Sequence, residues 1–170
     1  AFAVETARRL TGAGVEVQRV FLGAQLLGNA ADRHSAITEV TNQSNAEIAA
    51  ELSANTDYTD LGELDAQRAE HIGAAFRHDF VSANRYLAEV LDDPPGAKLE
   101  TPVTVVVAAD DPITHDFAGR YSEWQLVAER VELYELTDGG HYFPRTRPTE
   151  SAQAVLDSTR SVSPSRVASR

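Results

Sequence analysis

The sequence predicts an α/β fold: a mostly parallel sheet flanked by helices and interrupted by a long helical insertion. TPVTVVVA (101–108) is an almost unbroken β-branched run, as expected for a central strand covered by helices on both faces. VELYEL (131–136) reads as the strand that follows it. Residues 29–91, by contrast, are polar and helical without strand signals, and far longer than an ordinary crossover between parallel strands.

In chain order, AFAVETARRL (1–10) is helical from its first residue, with Phe2, Ala3, Ala7 and Leu10 on one side and Gly12 and Gly14 ending it. No Ser, Thr, Asp or Asn caps it, which leads us to expect polypeptide ahead of Ala1 that satisfies its first amides. VEVQRVFLGA (15–24) alternates into an apolar end and reads as a strand. Within the insertion, AEIAAELS (46–53) is a short amphipathic helix and NTDYTD (55–60) a loop. LGELDAQRAEHIGAAF (61–76) and RHDFVSANRYLAEVL (77–91) then put Leu64, Ile72, Phe76, Phe80, Leu87 and Leu91 at spacings a helix can gather on one side. Asp92, Asp93, Pro94, Pro95 and Gly96 stop the pattern. An all-helical insertion between strands of a parallel sheet is most often a lid over an active site. TESAQAVLDSTR (149–160) is expected to be a final helix capped by Thr149 and packed through Ala152, Val155 and Leu156, and SVSPSRVASR a loosely ordered tail. The expected divisions are 1–28 (helix and strand), 29–96 (helical lid insertion), 97–159 (C-terminal core) and 160–170 (tail).

Both strong strands run into turn residues that carry chemistry. The first meets Asp110, Asp111 and Pro112; the second meets Asp138, Gly139, Gly140 and His141. Catalytic groups in open α/β sheets sit at the C-terminal ends of strands. An acid followed by a histidine at consecutive strand ends is the Asp and His half of a Ser-His-Asp triad, in the chain order that α/β-hydrolases use after their serine. Alone, such an Asp is a turn residue and such a His a surface group; their joint placement makes the pair, with Asp111 and His141 the candidates. The residues alone leave Asp110 open as the acid, because both aspartates precede the same proline.

DDPITHD also offers Asp110, Asp111, His115 and Asp116 as metal ligands, but without the alternation and glycine of an EF-hand or an HExxH motif, so no metal is expected. His71 and His78 are two helical turns apart, too far to share an ion, and read as lid surface. Phe76, Phe80 and Tyr86 read first as residues that hold the insertion together, and Trp124 as a packing residue between the last strands.

PVTVVVAADDPIT, followed by RYSEWQLVAERVELYELTDGGHYFPRTRP, resembles the C-terminal part of the thioesterase domains of nonribosomal peptide and polyketide synthases. Those enzymes carry an Asp-Pro loop, a helix with a central tryptophan, a strand and a Gly-Gly-His-aromatic-Phe loop. The resemblance covers nearly all of 101–154 and implies the α/β-hydrolase fold with a helical lid, Asp111 as the triad acid and His141 as the base. It also makes AVETARRL the body of the helix behind the nucleophile elbow, with the serine roughly four residues before Ala1.

The resemblance implies a serine thioesterase that takes a peptidyl, depsipeptidyl or polyketide chain from the phosphopantetheine of a carrier protein and releases it by hydrolysis or macrocyclisation. No bound cofactor is required. A free-standing type II thioesterase that edits stalled acyl groups shares the same features, and a hydrolase-like interaction module without a nucleophile is the alternative of another class.

Composition sets limits. The 170 residues, 42% hydrophobic, suffice for a real core but are short for a complete hydrolase. The absence of cysteine removes thiolate chemistry and fits a reducing cytoplasm, the expected location. A net charge of −11 argues against nucleic acid or an anionic membrane as partner. It also disfavours an acidic carrier protein, whose contact must then rest on apolar or local arginine patches.

Overall fold

The structure, a computed structural model, describes residues 2–54 and 65–160. The loop 55–60, Leu61, Leu64 and the tail 161–170 lie outside the described residues. The chain divides into two compact units, residues 28–94 and residues 2–27 with 95–160.

The second unit is built on a parallel three-stranded sheet, β1 (Val20–Gly23), β2 (Val103–Ala108) and β3 (Val131–Leu136), in the order β1-β2-β3. All of β2 is buried, as a β-branched middle strand requires. Parallel register sets Val20 against Val103, Val103 against Val131 and Ala108 against Leu136, so all strands end at the same edge.

The strand expected over 15–24 is shorter, because pairing starts only at Val20. Val20 N–H reaches the carbonyl of Pro102 at 2.9 Å, but Pro102 has no N–H with which to extend the ladder. Just before this point Arg19 crosses the sheet, donating to Thr104 Oγ1 at 2.5 Å and to Glu132 Oε2 at 2.6 Å.

Helix α1 (Phe2–Gly12) packs on β1 and ends in a Schellman turn: Val15 N–H bonds the Leu10 carbonyl and Gly14, at φ 78°, bonds that of Thr11. Its buried residues are Val4 and Ala7, whereas Phe2 and Leu10, expected on the covered side, are exposed. β1 is an edge strand among the described residues, and a helix resting on one edge strand covers a narrow seam only.

Between β2 and β3 the expected helix is the single turn α5 (Phe117–Arg120) followed by a 3₁₀ segment, Tyr121–Leu126. Trp124 in that segment is 1% exposed, and its indole N–H donates to the Gln25 carbonyl at 2.9 Å. After β3 come α6 (Phe143–Thr146) and α7 (Pro148–Arg160). Proline suits the first helical position, so α7 starts at Pro148 and Thr149 lies inside its first turn instead of capping it. α7 buries Ala154 and Ser158, while Ala152, Val155 and Leu156 face out. Small side chains one turn apart let α7 lie close on the cluster of Val106, Ala108, Leu136 and Phe143.

The helical unit contains α2 (Ala30–Asn42), α3 (Asn45–Ala54) and α4 (Ala66–Asp92). Asn29 caps α2 by accepting from Asp32 N–H, and Asp65 caps α4 by accepting from Arg68 N–H. The runs 66–76 and 77–91 form one continuous α4, since Arg77 and His78 carry no break signal. Gly73 is required where α3 meets α4: a Cβ there would lie 2.0 Å from the Asn45 carbonyl oxygen. Arg77 then closes the C-terminal end of α2, donating to the carbonyls of Val40, Thr41 and Gln43 at 2.6–3.1 Å. Phe76 and Phe80 stack at 5.5 Å, and His71 and His78 are exposed on the same helix. Among the described residues no helix is long and apolar enough to cross a membrane.

Candidate active site

The two loops that carry Asp111 and His141 leave neighbouring strands at the same sheet edge. Because Ala108 pairs with Leu136, and Ala109 N–H then reaches the Leu136 carbonyl at 2.8 Å, the residues after each strand emerge side by side. β2 turns at once: Asp111 N–H bonds the Ala108 carbonyl at 3.1 Å, and Pro112 ends the extended run.

That turn buries the Asp111 side chain, and the residue is 1% exposed. A carboxylate in such a place must be hydrogen-bonded. Its Oδ1 accepts from Ile113 N–H at 2.9 Å; its Oδ2 accepts from Thr114 Oγ1 at 2.6 Å and lies 3.0 Å from His141 Nδ1. Burial is the largest single influence on its acidity and pushes the pKa up, but the bonds from Thr114, His141 and Ile113 together outweigh it, and the net direction is down.

His141 is held by a loop in which each restraint has a visible cause. Gly139 and Gly140 take φ of 127° and 66°, and a Cβ on Gly139 would sit 2.9 Å from that of Phe143. Thr146 Oγ1 donates to the Gly139 carbonyl at 2.6 Å, Arg147 Nε meets Asp138 at 2.5 Å, and Phe143 anchors the turn in the core. The imidazole side chain remains 25% exposed, with Tyr142 edge-on at 5.2 Å. With Nδ1 at Asp111, Nε2 makes no hydrogen bond to any described residue, and no described serine hydroxyl reaches the ring.

The structure therefore brings Asp111 and His141 together and sends Asp110 elsewhere: its carboxylate accepts from the Gly139 and Gly140 amides. His115 is exposed, bonded to the Pro112 carbonyl and paired with Asp116, and does not join the pair. The described residues hold no cluster of three or more metal-ligating side chains. Sequence reasoning missed Thr114, whose only signal was its place three residues after Asp111, and missed the work done by Asp110.

Asp111 has a testable consequence for stability. A carboxylate whose folded pKa is depressed contributes stability that is present above the unfolded carboxyl pKa and lost as pH falls through the folded value. Urea unfolding is accordingly expected to show stability declining below about pH 4, with a smaller decline in Asp111→Asn. An equal decline in the variant would show that the buried carboxylate is not the linked group.

No protein-family model matches the sequence, and no curated protein matches it. Solved structures do. The chain is similar to the type II thioesterase BorB from the borrelidin biosynthetic cluster (TM-score 0.57, 19% identity, covering 93% of this chain and 60% of that one). It is also similar to a hydrolase from Pseudomonas aeruginosa PA01 (0.55, 21%, 91% and 60%) and to epoxide hydrolase A from Mycobacterium thermoresistibile (0.51, 17%, 93% and 66%). The fold is that of the α/β-hydrolases, with a parallel sheet flanked by helices. The chain spans about 60% of the length of the first two of these structures.

Proposed function

We propose that Asp111 and His141 are the acid and base of a Ser-His-Asp triad in a thioesterase that acts on acyl or peptidyl chains carried on phosphopantetheine. The observation that carries this reading is the buried Asp111 carboxylate 3.0 Å from His141 Nδ1, which leaves Nε2 free. With its proton held on Nδ1 by Asp111, the ring can accept the serine proton at Nε2. The serine oxygen then bonds to the thioester carbonyl carbon, backbone amides receive the oxyanion, and the C–S bond breaks as His141 returns the proton to the leaving thiol. Water, or a hydroxyl or amine of the acyl chain, attacks the acyl-serine by the same route, giving hydrolysis or macrocyclisation.

In this reading the serine is supplied from outside the 170 residues, which fits their spanning only part of the length of similar structures. Residues 29–96 act as the lid. Two settings share this chemistry: chain release at the end of a nonribosomal peptide synthetase, and editing by a free-standing enzyme. The likeness to a type II thioesterase keeps the second in view.

Incubating the full-length protein with an acyl-pantetheine thioester is expected to release acid or lactone and to leave an acyl mass on a serine. If neither thioester cleavage nor labelling by a fluorophosphonate occurs, the thioesterase reading fails and a nucleophile-less interaction module becomes the better account.

A further inference from the structure

We infer that Asp110 is a positioning residue for His141, acting through the backbone of the histidine loop. Asp110 Oδ1 accepts from Gly140 N–H at 2.8 Å and Oδ2 accepts from Gly139 N–H at 3.3 Å, so one carboxylate grips two successive amides, the second adjoining His141. Its neighbour Asp111 faces the imidazole itself. The group that orients the ring and the group that holds the backbone bearing the ring thus sit on one dipeptide at the end of the buried strand β2.

On the other side of His141 the Tyr142 carbonyl accepts from Arg145 N–H at 2.8 Å and Thr146 N–H at 3.2 Å. Arg147 holds Asp138, while Thr146 holds the carbonyl and Asp110 the N–H of the same Gly139–Gly140 peptide unit. Gly140 takes φ 66° and no atom beyond its chain neighbours lies within 4 Å of where a Cβ would sit, so hydrogen bonding rather than packing restrains it. The Gly140 amide is also the main cause of a lowered Asp110 pKa, so the grip is made by the ionised carboxylate at neutral pH. Asp110 itself is exposed, and bonds that water can replace add little to global stability. Their effect falls on the aim of the ring, where a displacement of about 1 Å can cost about 100-fold in rate.

This inference rests on the proposed triad only in its kinetic part. The experiment combines turnover of an acyl-pantetheine thioester with nitrogen-15 NMR of the His141 ring, in the full-length protein and in Asp110→Ala, Asp110→Asn and Asp138→Ala. Asp110→Ala is expected to lower kcat by about 10- to 100-fold with KM little changed. It should also shift the neutral ring from the Nδ1–H tautomer toward a mixture, with the thermal midpoint nearly unmoved. Asp110→Asn keeps one acceptor and should fall between, while Asp138→Ala should leave the tautomer intact. An unchanged tautomer in Asp110→Ala overturns the inference whatever the activity. If the parent protein shows the Nδ1–H tautomer but no thioester cleavage, the proposed function fails, and the tautomer in the variants still decides the role of Asp110.

Discussion

Replacing His141 by alanine in the serine-bearing protein is expected to lower kcat for thioester cleavage by about 10⁴-fold or more, with the fold retained. The size follows from the histidine's serving twice in each half-reaction, taking a proton from the attacking oxygen and returning it to the leaving group. Asp111 cannot substitute, since it is buried behind the ring with its oxygens already bonded to Ile113 and Thr114. Retention of the fold follows from the loop's other anchors: Phe143 in the core, Thr146 on Gly139, Arg147 on Asp138 and Asp110 on the two glycines are all unaffected. Steady-state kinetics on an acyl-pantetheine thioester, with circular dichroism as the control, makes the measurement. A variant with activity within tenfold of the parent would remove His141 from the mechanism.

Asp111→Asn should cost nearly as much, about 10⁴-fold in kcat, through the tautomer of the ring. An asparagine there keeps its oxygen at the Oδ1 position to accept from the fixed Ile113 amide, which places its NH₂ at the Oδ2 position against the rotatable Thr114 hydroxyl and His141 Nδ1. Nδ1 must then accept, the proton moves to Nε2, and the nitrogen that should receive the serine proton is blocked. Asp110→Asn, which retains an acceptor for Gly140, should lose about tenfold or less. The ranking is the informative result: if Asp110→Asn were the more damaging, the acid would be Asp110.

Much of this was legible from local signals. The central strand is written in β-branched residues whose burial on both faces needs no partner to be recognised, and Val131–Leu136 appears with its expected bounds. Pro112 and the Gly139–Gly140 pair mark the ends of those strands because their backbone constraints are intrinsic to the residues. The helix faces were less legible. Periodicity gathers Phe2, Ala3, Ala7 and Leu10, yet only Val4 and Ala7 are buried in α1, since which side of a helix is covered depends on how much sheet lies under it. The same reason left Val155 and Leu156 exposed on α7 while Ala154 and Ser158 turned inward.

By itself the sequence determined that an aspartate and a histidine end consecutive strands of a parallel sheet, because strand identity and strand ending are properties of short runs of residues. Only the tertiary structure decided which aspartate meets the histidine and what the other one does. Adjacent residues leaving a strand point to different sides, and which side faces the neighbouring loop follows from the pairing of Ala108 with Leu136, across the intervening residues 109–135. That pairing places Asp111 against the imidazole and Asp110 against the glycine amides, a division of labour between neighbours that no local pattern encodes.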